Sequence, residues 1–166
     1  DAIDGTVHFW RAGDTVVLPK GWSGRWDVTK AIRKVWAVNK HPEDLSADDS
    51  CKAIVAHAED FHWLKLRPLG ARKADWGTPE HFSSTAFKVG GTHVGSWACT
   101  EGGFLGTANR PTTEWFHVLE GLAFLTGTDG IARRITAGDT VVLPKGWSGR
   151  WDVVEPIRKV FAVISE

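Results

Sequence analysis

Few side chains of this sequence have the type and the spacing that nucleophilic catalysis or metal binding requires. The two cysteines, Cys51 and Cys99, lie far apart and form neither a CxxC pair nor a disulfide-rich pattern. Reduced thiols of this kind are typical of a cytosolic protein, so we expect a cytoplasmic location and assign the cysteines no role.

The segment TEWFHVLE, residues 113–120, brings a carboxylate and an imidazole within three positions of each other. Its composition predicts a β-strand, along which successive side chains point to opposite faces. Glu114 and Phe116 therefore share one face, and Trp115 and His117 share the other. If the face that carries Trp115 and His117 points outward, it is an apolar strip that needs cover, which predicts a homodimer.

The elements that must position these side chains are short strands separated by Gly, Pro and Asp turns, a pattern that predicts an all-β protein. Asp129 and Gly130 lie between two apolar runs and predict a two-residue hairpin turn. The only helical candidate is SCKAIVAHA, residues 50–58. The predicted strands cover residues 60–66, 84–89, 92–100, 113–120, 122–128, 139–143, 149–153 and 157–164.

The chain contains an internal repeat. Residues 12–28 and residues 137–153 have the same sequence, AGDTVVLPKGWSGRWDV. The similarity continues as TKAIRKVWAV against VEPIRKVFAV, where Trp36 stands in the place of Phe161. A repeat of this length points to a duplicated structural unit.

The two copies have different surroundings in the sequence. A long strand-like stretch precedes the second copy, whereas only a few residues precede the first. We therefore expect residues 1–40 to be the C-terminal half of one domain, residues 41–56 a linker and residues 57–166 a complete domain.

A half domain alone would expose unpaired sheet edges, which folded proteins avoid. Two explanations are open: a two-domain protein whose front part precedes Asp1, which we favour, or a partial duplication. In either case the missing strands must come from a partner chain or from a further segment.

The second unit resembles the cupin superfamily, whose motifs are G(x)5HxH(x)3–4E(x)6G and G(x)5PxG(x)2H(x)3N. Gly138, Pro144 and Gly146 fit the second motif, and Glu114 with Gly121 has the E(x)6G spacing of the first. The stretches GDTVVLPKGWSGRW, EWFHVLEG and RKVFAV look more specifically like the subfamily related to (S)-ureidoglycine aminohydrolase and the ethanolamine-utilisation cupins. The resemblance implies a cupin jelly-roll β-barrel, one complete and the C-terminal half of a second.

The family's metal ligands are three histidines and a glutamate, and here the sequence departs from the pattern. Counting back from Glu114, the histidine positions of the first motif hold Ala108 and Arg110 or, with the longer spacing, Thr107 and Asn109. The histidine of the second motif is replaced by Gly149, and by Gly24 in the first copy.

One carboxylate cannot hold a transition metal that takes three or four protein ligands. We therefore expect no metal and no other cofactor. A metal bound through Glu114 and His93, which lies on a different predicted strand, is the less favoured alternative.

The resemblance implies that Glu114 points into the barrel. Alternation then places Trp151 inward beside Gly149, where the loss of an imidazole is expected to open space near the barrel mouth. A buried glutamate needs a partner. The family pattern offers Lys159 for this role, and Arg110 is the other candidate.

Two interpretations of this interior stay open. In the functional one, Glu114 and Lys159 are catalytic. Glu114 is a general acid or base, and Lys159 or Arg110 binds a substrate carboxylate. In the structural one, the same pair is a satisfied ion pair in a tryptophan-rich core. The predicted binding residues are Trp97, Asn109, Arg110, Phe116, Trp147, Gly149 and Trp151.

The net charge of the sequence argues against nucleic acid as a binding partner. Twenty Lys and Arg against twenty Asp and Glu give a net charge of zero, without the basic excess that nucleic-acid binding needs. No apolar stretch approaches the ~18 residues of a membrane-spanning helix.

We expect a small polar metabolite as the partner. The less favoured alternatives are a non-catalytic binding or oligomerisation module and a metal-dependent hydrolase with unusual ligands.

Overall fold

A computed structural model of the protein describes residues 5–40 and 52–165. Within these residues the chain forms strands and two short 3-10 turns, which confirms the all-β prediction. The turns cover Ala58–Phe61 and Trp63–Lys65. The strands are β1 (Thr15–Val17), β2 (Ile54–Ala56), β3 (Arg67–Ala71), β4 (Trp76–Gly77), β5 (Glu80–Val89), β6 (Thr92–Cys99), β7 (Gly102–Leu105), β8 (Thr113–Gly127), β9 (Ala132–Thr136), β10 (Thr140–Leu143) and β11 (Gly149–Ile164).

The main sheet is antiparallel and curls around one apolar core. Its strand order is β10-β8-β11-β6-β5-β3, with β9 paired to β8 and β7 paired to both β11 and β4. Strand β11 is central, because it pairs with β6, β7 and β8 along its length. The core includes Phe116, Val118, Val153 and Ile157, none of which is exposed. Burying each such side chain stabilises the fold by about 1.5–3 kcal/mol.

Two pairs of predicted strands are continuous in the structure. The runs predicted at 113–120 and 122–128 form β8, and those at 149–153 and 157–164 form β11. Gly121 makes the continuity of β8 possible, since it has a φ of +89° and a Cβ there would collide with the carbonyl oxygen of Pro156.

The predicted hairpin at Asp129 and Gly130 is present between β8 and β9, with a longer loop than the two residues expected. Thr126 pairs with Ala132, and Gly130 donates its N–H to the carbonyl of Gly127.

Two predictions around residue 57 are wrong. Residues 60–66 form 3-10 turns instead of a strand, because Asp60 caps the backbone N–H of His57 at 3.1 Å and closes the chain locally. The helix predicted over 50–58 is replaced by β2, where Val55 pairs with Val16. Residues 50 and 51 of that prediction lie outside the described residues.

The two copies of the repeat have different structures. In the second copy, residues 149–153 begin β11, whereas residues 24–28 of the first copy lie outside any strand. The partners of β11 are already engaged. In the first copy, β1 pairs with β2, and Gly24 forms an isolated bridge. The first copy therefore exposes apolar side chains, including Val28 at 61% and Trp36 at 66%.

The outward strip on β8 is half-buried at Trp115, His117 and Leu119. The homodimer expected from it stays a prediction, as do the three domain boundaries. In the described part of the chain, no helix is long and apolar enough to cross a membrane.

Candidate functional site

A buried ion cluster lies where β8 and β11 run side by side. The ammonium Nζ of Lys159, on β11, donates to Oε1 of Glu114, on β8, at 2.5 Å. Nη2 of Arg110 lies 2.8 Å from the second carboxylate oxygen, Oε2. The glutamate and the lysine are 6% and 4% exposed, so a single buried carboxylate pairs with two cations and balances the charge of only one.

Strand register explains why these groups meet. Glu114 pairs with Val163, and Val118 pairs with Lys159, so Glu114 and Lys159 share the inward face four residues apart along paired strands. The alternation expected along β8 is also present, since Glu114, Phe116 and Val118 are buried.

Three aromatic rings enclose the lysine. Nζ of Lys159 lies 3.9 Å from the ring centre of Phe116, 4.9 Å from that of Trp151 and 5.0 Å from that of Trp97. The rings also contact one another, with centroids 5.5 Å apart for the two indoles. The negative faces of aromatic rings stabilise a cation that has lost its water shell.

Arg110 reaches the cluster from a loop instead of a strand. Its backbone N–H donates to the carbonyl of Trp147 at 3.1 Å, and its carbonyl accepts from the N–H of Gly146 at 2.8 Å. Asn109 has a left-handed φ of 46° and donates its N–H to Oγ of Ser148 at 2.6 Å. These bonds hold the loop against the turn that precedes β11. The Nε atom of Arg110 is buried and has no hydrogen-bond partner.

Burial dominates the electrostatics of Lys159. It lowers the pKa of the ammonium from its ordinary value, the interaction with Glu114 raises that pKa again, and the charges of Arg110 and Arg72 lower it further. The net direction is downward. A cation this deeply buried depends on its carboxylate partner for its charge.

The space expected beside Gly149 is filled. A Cβ on Gly149 would collide with the Trp147 ring and approach the carbonyl oxygen of Thr126 at 2.6 Å. The indole thus occupies the room that a missing imidazole was expected to leave, because Trp147 turns back over its own chain from the turn before β11.

Trp147 instead lines a separate open cleft of about 360 Å³, bounded by Leu125, Asp129, Arg133 and Leu143. None of the three charged residues of the ion cluster lines this cleft. We place the candidate site at the ion cluster, since buried charge and converging polar groups mark chemistry better than open volume.

The predicted site residues therefore fall into two groups. The structure brings Trp97, Arg110, Phe116 and Trp151 to the Glu114–Lys159 pair. Asn109 and Trp147 lie in the adjoining turns, and Gly149 is the first residue of β11. Asn109 is exposed there and joins that turn through its backbone.

The described residues do not offer the donor set that a cupin metal site requires. Residues 5–40 and 52–165 contain no group of three His, Cys, Asp or Glu side chains that could hold a metal ion. His93 shares the inward face of the sheet with Glu114 through Val163, but its Nε2 lies 2.9 Å from Oγ1 of Thr85 and its ring packs against Phe161. The carboxylate oxygens of Glu114 already face two cations, so the residues present do not fit the family's metal.

His117 lies on the opposite face of β8 and is a hydrogen-bond partner of Thr140 at 2.9 Å. Burial lowers the pKa of His117, and the nearby charge of Arg33 lowers it further. This residue belongs to the outer surface and not to the interior site.

The sequence did not predict one residue whose charge acts on the site. Arg72 follows β3 and stacks its guanidinium 4.4 Å from the ring centre of Phe104. Its charge acts on both Lys159 and Cys99. Because Arg72 lies in a loop, strand alternation gives no signal for it.

Comparison with known proteins supports the β-barrel architecture. A family model described as an EutQ-like cupin domain matches residues 2–36 and 88–161. No curated protein matches the chain.

Solved structures also resemble it. A protein of unknown function from Pseudomonas syringae pv. tomato, of the DUF861 family, aligns with a TM-score of 0.54 and 22% identity over 59% of this chain and 43% of that one. The EutQ protein of Clostridium difficile aligns with a TM-score of 0.47 and 17% identity over 57% of this chain and 75% of that one. A DUF861 protein of Thermotoga maritima is 36% identical, with a TM-score of 0.37, over 40% of this chain and 73% of that one. The chain thus spans less than half the length of the Pseudomonas syringae protein.

Proposed function

Since this chain belongs to the family of EutQ-like cupin domains, we propose that it binds a small polar metabolite carrying a carboxylate in the interior of its barrel. The observation that supports this is the unequal charge of the cluster, where Lys159 and Arg110 share the single carboxylate of Glu114. An incoming carboxylate would neutralise the second cation. Buried charges are stable when each is paired.

Arg110 is the group best suited to hold the ligand. Its side chain is 18% exposed, whereas that of Lys159 is 5% exposed, so the guanidinium lies nearer to the solvent. Its Nε is buried without a partner, and a guanidinium can donate two parallel hydrogen bonds to one carboxylate. Trp97, Phe116 and Trp151 would form the apolar wall around the rest of a small ligand.

Within the group related to (S)-ureidoglycine aminohydrolase, we propose that this chain acts by binding without the usual metal. Glu114 is the only residue at the family's four ligand positions that keeps the ligand type, and it already pairs with two cations. If the bound metabolite is also turned over, Glu114 is the carboxylate at the site and would act as the general acid or base.

Calorimetric titration tests the proposal. The ligands are glycine, glyoxylate and N-carbamoylglycine, each compared with its amide, which keeps the shape and removes the charge. We expect at least one acid to bind and its amide to bind at least tenfold more weakly. Arg110→Met should abolish the binding. Arg133→Met, which removes an exposed arginine paired with Asp129, is the control and should leave it unchanged. Equal binding by wild type and Arg110→Met would show that the site is wrongly assigned.

Two further measurements separate the alternatives. Stoichiometric Mn, Fe, Ni or Zn in the purified protein would contradict the metal-free site and favour a hydrolase with unusual ligands. If all three acids fail to bind, the non-catalytic module becomes the better description. Glu114→Gln removes the carboxylate that the two cations share, so ligand binding that stays unaltered in this variant would also show that the site is wrongly assigned.

A further inference from the structure

Two segments that begin with the same sequence, over residues 12–28 and 137–153, have opposite environments. We call residues 12–40 the first copy, residues 137–165 the second copy, and residues 80–136, which contain β5 to β9, the front half. Val153 in the second copy is completely buried, and its equivalent in the first copy, Val28, is 61% exposed. Trp151 is 5% exposed, and its equivalent Trp26 is 41% exposed. The sequence cannot distinguish these positions, so the difference arises from what they contact.

The front half holds the second copy by contacts that the first copy could also make. Lys159 pairs with Glu114, and Arg158 donates through Nε to Oε1 of Glu120 at 3.0 Å. The equivalent residues of the first copy are Lys34 and Arg33. Every charged group by which β11 is recognised on β8 therefore has a duplicate in the first copy.

The first copy already has some of the local geometry of β11. Nη2 of Arg25 lies 2.7 Å from Oδ1 of Asp27, the same distance that joins Arg150 and Asp152. Nζ of Lys34 lies 4.8 Å from the ring centre of Trp26, close to the 4.9 Å between Lys159 and Trp151. The lysine–tryptophan contact of the interior site is thus also present in the first copy.

The end of the first copy also lies at the correct edge of the front half. Nδ2 of Asn39 donates to Oγ1 of Thr92 at 2.7 Å. In the second copy, the equivalent residue Ile164 pairs with the same Thr92 at the start of β6.

We propose that the first copy and the second copy are interchangeable occupants of the surface that β6, β7 and β8 offer. When the second copy leaves, the first copy of the same molecule pairs with these strands and places Lys34 opposite Glu114. The second copy is favoured because a short turn joins it to β9, while the first copy must close a longer loop. Trp36, which is larger than Phe161, also fits less well beside Gly95. The exchanged form is therefore the minor one.

A charge placed at equivalent positions tests the exchange in the full chain. Val153→Asp puts a carboxylate into the core, Val28→Asp puts the same carboxylate on the surface, and the double variant has both. Exchange predicts that each single variant folds and that the double variant unfolds at a denaturant concentration well below either one. Without exchange, Val28→Asp would have the same small effect in both backgrounds, and that result would overturn the proposal.

Hydrogen exchange followed by mass spectrometry identifies the docked segment, because the peptides TKAIRKVWAV and VEPIRKVFAV differ in mass. In Val153→Asp, we expect residues 29–38 to become protected and residues 154–163 to lose protection. If Val153→Asp does not fold, the milder Val153→Ala decides: increased protection of residues 29–38 relative to wild type supports the exchange, and unchanged protection overturns it. The variants must keep the oligomeric state of the wild type at the concentration of the experiment. A dimer that forms only in Val153→Asp would mean that the replacing segment comes from a second chain, which also overturns exchange within one molecule.

Discussion

Lys159 and Glu114 form an ion pair of 2.5 Å that connects β11 to β8 inside the barrel, where neither side chain reaches a tenth of its full exposure. Each of the two buried charges is stabilised by the other. Each charge would be costly alone in this environment, whereas an apolar pair of similar size could occupy the same place.

Glu114→Met tests this dependence. We expect it to lower the free energy of unfolding by about 3–5 kcal/mol, because the Lys159 ammonium stays buried among three rings without its carboxylate. The double variant Glu114→Met with Lys159→Met should recover at least half of that loss, since both charges are then gone. Urea unfolding of the two variants gives the comparison. A double variant as unstable as Glu114→Met would show that the pair does not carry the effect.

Sequence alternation predicted the inward face of β8 correctly, because residues 113–120 form a regular strand with one buried side. It failed around residue 57 because local side-chain caps are invisible to a hydrophobic pattern. It also failed at Gly149, where the room left by a small residue is taken by Trp147, a neighbour whose direction depends on the turn geometry.

The repeat shows the limit of sequence reasoning most directly. Residues 24–28 and 149–153 are identical, yet only the second set is a strand. Strands obtain their hydrogen bonds and their buried face from distant parts of the chain, so local sequence cannot determine which copy is paired. The resemblance to cupins was sufficient to predict a barrel. Which copy completes the barrel depends on pairing with β6, β7 and β8.

The glycine of the E(x)6G spacing gives a second prediction. Gly121→Ala should destabilise the protein far more than Gly130→Ala, although both glycines have positive φ, +89° and +70°. At Gly130 nothing lies within 4 Å of the added Cβ, so only backbone strain of about 1–2 kcal/mol is expected. At Gly121 the Cβ would also meet the backbone of Pro156 and approach Cα of Ile157 at 2.6 Å. Thermal or urea unfolding measures both, and equal losses would contradict the collision.

The half-buried His93 predicts a pH dependence. Burial lowers the pKa of His93 from its ordinary value of 6.5, the charge of Lys88 lowers it further, and Glu114 raises it in part. As the pH falls below 6.5, the unfolded state takes up its proton before the folded state does, so the free energy of unfolding decreases. His93→Gln should show a smaller decrease between pH 7 and pH 5 than the wild type. Identical slopes for the two proteins would mean that His93 does not titrate with the lowered pKa.

Cys99 provides a test of the barrel's integrity. Burial raises the pKa of this thiol from 9.0 to about 12, against the opposing charges of Arg72 and Lys159. At pH 8.5 the folded protein should therefore keep Cys99 protonated and shielded, and a thiol reagent should modify it only through unfolding. Peptide mass spectrometry after timed iodoacetamide treatment measures the rate at this residue alone, with guanidinium-unfolded protein as the fast control. The unfolded thiol ionises near pH 9 and the folded one near pH 12, so the free energy of unfolding should decrease as the pH rises between these values. In Cys99→Ala this decrease should be smaller. Rapid modification of Cys99 in the folded protein would show that the interior beside Lys159 is open to solvent.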